Sequence, residues 1–309
     1  MKNSGVGSMK LAATLLLLFW VTAQPKPALP GGGAVPEQEE PGHALLAFVS
    51  IPPQASFVSA VAGERARVEI LVSGGQDPHT YEPSPRRVAA LQRADVYFAV
   101  GLPFEELLLK KVSGSAGFTV VHTDRGVPKR PLEAHAGVSG GGEPDPHIWL
   151  SPPLIEIQAG NIYRALAEAD PVNEAEYREN LEAYLDELHR VHARLEELLA
   201  PYRGEPFFVF HPAFGYFADA YGLRQLPIEI GGREPGPRGL AELIGRGQAA
   251  GARVVFVQQQ FSQRSARAVA EAIGAEVVEA DPLALDYIDN LRAVSKRMLA
   301  ALAPEAGAS

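Results

Sequence analysis

No cysteine occurs anywhere in the chain. That absence excludes disulfides, thiolate metal ligands and Cys nucleophiles together, so any bound metal must be held by imidazole and carboxylate. Basic charge is scarce as well: 28 Lys and Arg stand against 37 Asp and Glu, a formal net charge of −9. A general nucleic-acid binder needs a basic face, and this composition argues against one. An apolar run long enough to cross a bilayer is also missing. The run Leu11 to Ala23 (LAATLLLLFWVTA) follows Lys2 and Lys10 and ends in the small residues Val21-Thr22-Ala23. It is too short for a mature spanning helix, and residues 1–23 read as a cleavable export signal, with an uncleaved anchor helix as the alternative. Cleavage would remove two lysines and no acid, taking the charge from −9 to −11. With no cysteine after the run, no lipid can be attached there. A soluble periplasmic or extracytoplasmic protein without a lipid anchor is the expectation.

What is present is ordinary for a folded soluble protein: 309 residues, 46% hydrophobic and 21% charged, enough for one large domain or two of common size. Residues 24–43, rich in Pro, Gly and Glu, read as a flexible leader. The run ALLAFVSIPP opens the ordered part at strand length, followed by strand patterns at Arg67–Val72, Val96–Val100 and Phe118–His122 and a helix-like stretch from Pro85 to Ala94. Strands alternating with helices at this pitch indicate a parallel α/β sheet. The Pro- and Gly-rich stretch Thr123 to Pro146 breaks the rhythm as a long loop. From Pro171 to Ala200, Leu181, Tyr184, Leu185, Leu188, Val191, Leu195, Leu198 and Leu199 recur at helical spacing over one long amphipathic helix. A second strand series follows at 206–210, Gln225–Ile230, Arg253–Val257 and Glu276–Glu279, with helices at 238–250 and 264–273. The expected organisation is an N-terminal α/β lobe over 44–172, a spanning helix over 173–200 and a C-terminal α/β lobe over 201–309.

Three histidines share a local setting. His79 lies in Asp77-Pro78-His79 beyond a strand, His147 in Asp145-Pro146-His147 directly after the long loop, and His211 between the strand FFVF and Pro212. Ligands of open parallel sheets gather beyond the carboxyl ends of strands, so separate strands can aim these side chains into one cleft. The neighbouring prolines restrict the backbone and reduce the entropy lost on fixing an imidazole. Neutral imidazole suits zinc and similar divalent ions, and a carboxylate can complete the tetrahedron. Asp281 ends the last strand in VVEADPL and is the candidate fourth donor. A single histidine beside proline is usually a surface hydrogen-bonding residue; three in matching contexts argue otherwise. His189 and His192 fall on the charged side of the long helix, where a solvated face accounts for them. His122 and His135 are open to either a surface role or a metal-shuttling one. Glu82 is placed to orient His79 or to cap the helix beginning near Pro85.

The stretches GGQDPHTYEPSPRRVAAL, PDPHIWLSP, FHPAFGYFADAYGLRQLPIEIGGREPGPRGLAELI, VQQQFSQRSA and EADPLALDYIDNL resemble successive signatures of the zinc/manganese ABC-transporter solute-binding proteins, from about residue 44 to 303. The resemblance implies two Rossmann-like lobes with parallel sheets joined by a long rigid spanning helix, and a metal held between them by His79, His147 and His211. Its fourth position matches Asp281, with water or another carboxylate in some zinc-type members. Manganese-type members commonly carry Glu where this chain has His211, and a third nitrogen favours Zn2+ over Mn2+ on softness grounds. The implied role is high-affinity capture of zinc, or less readily manganese or iron, and delivery to an inner-membrane ABC permease with its ATPase. A metallochaperone is a further candidate partner, and a monomer is expected. The loop before the second DPH holds only His135 and few acids, unlike the His-rich loops of many zinc members. A secreted zinc hydrolase is the alternative from another class, but no HExxH segment is present. An adhesin-like or metal-sensing protein on the same fold is a third reading. Protonation of the imidazoles should weaken binding as pH falls through the histidine range.

Overall fold

The computed structural model describes residues 44–112, 117–133, 143–229 and 233–303. The signal run, the leader, His43 and His135 lie outside them. No helix among the described residues is long and apolar enough to cross a membrane.

The first half runs β1 (Leu45–Val49), α1 (Pro52–Ala62), β2 (Ala66–Ile70), α2 (Pro85–Leu91), β3 (Val96–Ala99), α3 (Pro103–Val112), β4 (Thr119–His122) and α4 (Pro152–Ala169). The long helix α5 (Glu174–Leu199) follows. The second half runs β5 (Pro206–Val209), α6 (Gly215–Tyr221), β6 (Arg224–Pro227), α7 (Pro237–Ala250), β7 (Val254–Val257), α8 (Arg264–Ile273), β8 (Glu276–Glu279) and α9 (Tyr287–Leu302). Two four-stranded sheets result, ordered β2-β1-β3-β4 and β6-β5-β7-β8, with every pairing parallel. The two sheets thus have the same topology, and in each the order reverses beside the first strand. A crevice opens at such a reversal beyond the carboxyl ends of the strands.

Strands β3, β5 and β7 are buried along their whole length. Both faces of a parallel sheet are covered by helices, which is why VYFA, PFFV and VVFV read as continuous apolar runs without alternation. Helix α5 buries Tyr177, Tyr184, Leu188, Val191, Leu195 and Leu199, one stripe at helical spacing. It packs on α1 and α4 of the first half and on α6 and α9 of the second. One apolar cluster therefore runs from the first sheet through α5 into the second half, while Phe208, Leu243, Val255 and Val269 belong to a smaller outer cluster.

Several boundaries differ from those the sequence suggests. The run ALLAFVSIPP divides: β1 ends at Val49, and Pro52 and Pro53 open α1, where a missing N–H leaves no helical bond unmade. The strand expected over 67–72 is paired over Ala66–Ile70, and Leu71 and Val72 still donate to Val49 and Ser50 carbonyls. The long helix starts at Glu174 after a 3-10 turn at Pro171–Asn173, held by Asn173 and Tyr177 side chains donating to the Asp170 carboxylate. Helices α3, α4 and α6 carried no clear sequence signal. His192 is not on a solvated face: its side chain is 19% exposed, and its Nδ1 lies 3.3 Å from the Tyr221 hydroxyl.

Candidate metal centre

The DPH tripeptide builds the same device twice. Asp77 Oδ1 accepts the His79 backbone N–H at 2.9 Å, and Asp145 Oδ1 accepts the His147 backbone N–H at 2.9 Å. Each is an Asx turn, with a proline between that presets φ and has no N–H to compete. The turn projects the histidine side chain from a fixed backbone. The Tyr81 hydroxyl adds a bond to the Leu71 carbonyl at 2.7 Å and ties the His79 loop to the end of its strand. His211 is presented differently. It follows β5, and its backbone N–H donates to Gln258 Oε1 at 2.8 Å, from the segment after β7.

The two turns and the end of β5 bring the imidazoles to one point. The Nε2 atoms of His79 and His147 are 3.1 Å apart, those of His79 and His211 3.1 Å, and those of His147 and His211 3.2 Å. Among the described residues this is the group of metal-binding side chains whose ligand atoms converge. His147 and His211 are only 3% and 8% exposed. With a Zn–N length of about 2.0–2.1 Å, one ion fits about 1 Å above the plane of the three nitrogens, at N–Zn–N angles of about 100°. That is the base of a distorted tetrahedron with its fourth position open.

Carboxylates fix the rings from behind. His147 Nδ1 lies 2.7 Å from Asp145 Oδ1, and His211 Nδ1 lies 3.0 Å from Glu229 Oε1. Nδ1–H is therefore the donor in both rings, and the Nε2 lone pairs face inward. Phe261 stacks on His211 at 4.9 Å between ring centroids and 28° between planes, and Trp149 lies 5.3 Å from His147. Lone pairs aimed at one another within 3.2 Å repel unless an electrophile stands between them. Two buried carboxylates beside neutral imidazoles supply the compensating negative charge for a divalent cation.

The protonation states agree with that chemistry. Burial, then the neighbouring His147 and His211, holds His79 down to about 3 from its ordinary 6.5. Burial, then His211, holds His147 well below the usual histidine range. Burial pushes Asp145 up to about 6 against the opposing pull of the His147 backbone N–H and Arg130. At His79 and His147, protons thus compete for the ring nitrogens only below the ordinary histidine range.

Asp281 is not among the converging groups. Its Oδ1 accepts the Leu283 backbone N–H at 2.9 Å and Gln260 Nε2 at 2.6 Å. Asp281-Pro282-Leu283 is a third Asx turn of the same design, with leucine where the other two carry histidine. Asp281 therefore occupies the place of Asp77 and Asp145, the anchor of the turn. Glu82 is exposed, and the cap of α2 is Ser84, which accepts the Arg87 N–H. His122 is also apart from the site, 59% exposed and 3.8 Å from Asp124. His189 is exposed beside Glu156. The sequence reading missed Glu229 and Gln258. Glu229 had a signal, a lone acid in the apolar strand pattern QLPIEI.

Comparison with known proteins gives the family. The model of ZnuA, the periplasmic component A of the zinc-uptake complex, matches residues 48–301. The chain belongs to the ZnuA family. It is 28% identical over 256 residues to the high-affinity zinc uptake system protein ZnuA of Bacillus subtilis strain 168, covering 76% of this chain and 77% of that one. It is 30% identical over 203 residues to the manganese-binding lipoprotein MntA of Halalkalibacterium halodurans, covering 65% and 66%. A ZnuA crystal structure superposes with a TM-score of 0.79 at 41% identity, over 84% of this chain and all of that one. The paired four-stranded parallel sheets are thus the ZnuA-type fold.

Proposed function

We propose that this protein captures zinc outside the cytoplasm through His79, His147 and His211 and hands it to an ABC importer. The observation that carries the reading is the convergence of three inward-facing Nε2 atoms within 3.2 Å of one another. Three nitrogen donors favour zinc over manganese, whose preference is for oxygen. The fourth position takes a water, because the Asp281 carboxylate is engaged in its own turn. No bond of a substrate is made or broken: the metal is cargo, bound when the two halves present their ligands together and released when a partner separates them. That partner is a membrane permease with its ATPase, as in ZnuA-type uptake, and the working form is a monomer released from its signal run without a lipid anchor. A metallochaperone delivering to the same three imidazoles is compatible with this reading.

The test is metal analysis of protein purified without added metal, followed by zinc and manganese competition. One zinc per chain, retained against excess manganese, is expected. Preferential retention of manganese, or zinc bound equally by His79→Ala, His147→Ala and His211→Ala, would contradict the proposal. Trp149 offers a convenient signal, since its ring lies 5.3 Å from that of His147.

A further inference from the structure

His147 emerges from the first half of the chain, yet its segment is fastened to the second half at both ends. At the near end, the Tyr216 hydroxyl donates to the Asp145 carbonyl at 3.0 Å and accepts the Arg130 backbone N–H at 3.0 Å. At the far end, Trp149 Nε1–H donates to the Pro282 carbonyl at 2.8 Å. Tyr216 lies in the first turn of α6, and Pro282 lies in the Asx turn between β8 and α9.

The near end shows how closely the tyrosine is built into the backbone. Arg130 and Asp145 face one another as an antiparallel pair, flanked by a bridge between Pro131 and Pro144 and by the Leu132 N–H bond to the Glu143 carbonyl at 2.9 Å. Asp145 N–H reaches the Arg130 carbonyl directly at 2.8 Å. An antiparallel pair would close with the reciprocal bond, Arg130 N–H to Asp145 C=O. Here the Tyr216 hydroxyl stands in that rung, using its donor and its acceptor at once. The Arg130 guanidinium continues the link: it pairs with Glu133 and reaches Asp219 on α6 at 3.1 Å, while Glu133 accepts from Gln225 Nε2 at 2.9 Å. Tyr216 is 5% exposed, so neither half of the rung is readily replaced by water.

We infer that Tyr216 is a positioning residue for metal retention, holding the Asp145–Trp149 segment so that His147 stays with His211. This rests on the zinc-binding reading above. His79 and His211 each take their backbone support from their own half, through Asp77 and Gln258. His147 alone is set by both. A loosened rung leaves the imidazole intact but lets the turn that aims it shift. The consequence is faster loss of the bound ion, with the encounter step unchanged.

Tyr216→Phe keeps the ring and deletes both bonds of the rung. Zinc release from the full chain into excess chromophoric chelator should accelerate about tenfold, the order expected for hydrogen bonds of this kind, while the association rate stays within twofold. In the His147→Ala background, where two imidazoles remain, the same substitution should change zinc affinity less than twofold, because its effect is routed through His147. Gly215→Ala presses on the same segment, with its added Cβ 2.7 Å from Arg130 Nη1 and 3.2 Å from Asp145 Oδ2, and any acceleration of release it causes should likewise vanish in the His147→Ala background. An unchanged release rate in folded Tyr216→Phe, or an equal effect with and without His147, overturns the inference. Failure of the wild type to bind zinc, or binding indifferent to His147→Ala, would instead sink the zinc reading itself.

Discussion

Glu229 lies outside the ring of metal donors, and removing its charge should still weaken zinc binding. Its Oε1 is 3.0 Å from His211 Nδ1, and both side chains are only 10% exposed. A hydrogen bond to an ionised acceptor is roughly twice as strong as a neutral one, and here it both fixes the tautomer and raises the basicity of Nε2. Loss of such a partner lowers metal affinity by about 10- to 100-fold, or about 1.4 to 2.7 kcal/mol. Glu229→Gln keeps an oxygen acceptor and loses only the charge, so about tenfold is expected. Glu229→Ala also removes the hydrogen bond that orients the ring, leaving the Phe261 stack and the neighbouring imidazoles to restrain it, and should approach a hundredfold. Competition with a chromophoric chelator at pH 7.5 reads both, with Glu82→Ala as the exposed control. The reasoning fails if Glu229→Ala binds zinc within twofold of wild type, or if Glu82→Ala matches its loss.

Acid should act on the metal-free protein through His79. Its folded-state value of about 3 lies below the ordinary 6.5, so between those pH values the unfolded chain takes up a proton that the folded chain does not. The stability contributed by the neutral form is present above 6.5 and is lost as pH falls toward 3. From pH 7.5 to 5, wild type should lose up to about 2 kcal/mol more than His79→Gln, measured by urea unfolding; equal losses would contradict the burial argument. Asp281→Asn keeps the turn's Oδ1 acceptor and removes the charge, so its zinc Kd should stay within about threefold of wild type, whereas loss of a true ligand would cost far more. Isothermal titration separates the two.

Much of the site was readable because its turns are local. Asp-Pro-His writes an Asx turn and its projected imidazole into three consecutive residues, and strand-end placement points His79, His147 and His211 toward one cleft. Asp281 shares the device: in Asp-Pro-Leu the aspartate anchors the turn through its Oδ1, and a place after the last strand does not by itself separate an anchoring aspartate from a donating one. Glu229, Gln258 and Tyr216 act across 18, 47 and 71 residues of sequence, and no local pattern encodes such pairings. The fold divides the same way. Buried strands and the stripe of α5 carry strong periodicity, while α4 buries Pro152, Gln158, Ala159 and Asn161 beside its aliphatic residues, which blurs its apolar face.

X-ray absorption at the zinc edge of the loaded protein tests the central claim most directly. The account predicts three imidazole nitrogens at about 2.0–2.1 Å and one further oxygen donor at similar distance, with one imidazole lost in each of His79→Ala, His147→Ala and His211→Ala. A first shell with two imidazoles or fewer in the wild type, or one unchanged by any of those substitutions, would contradict it.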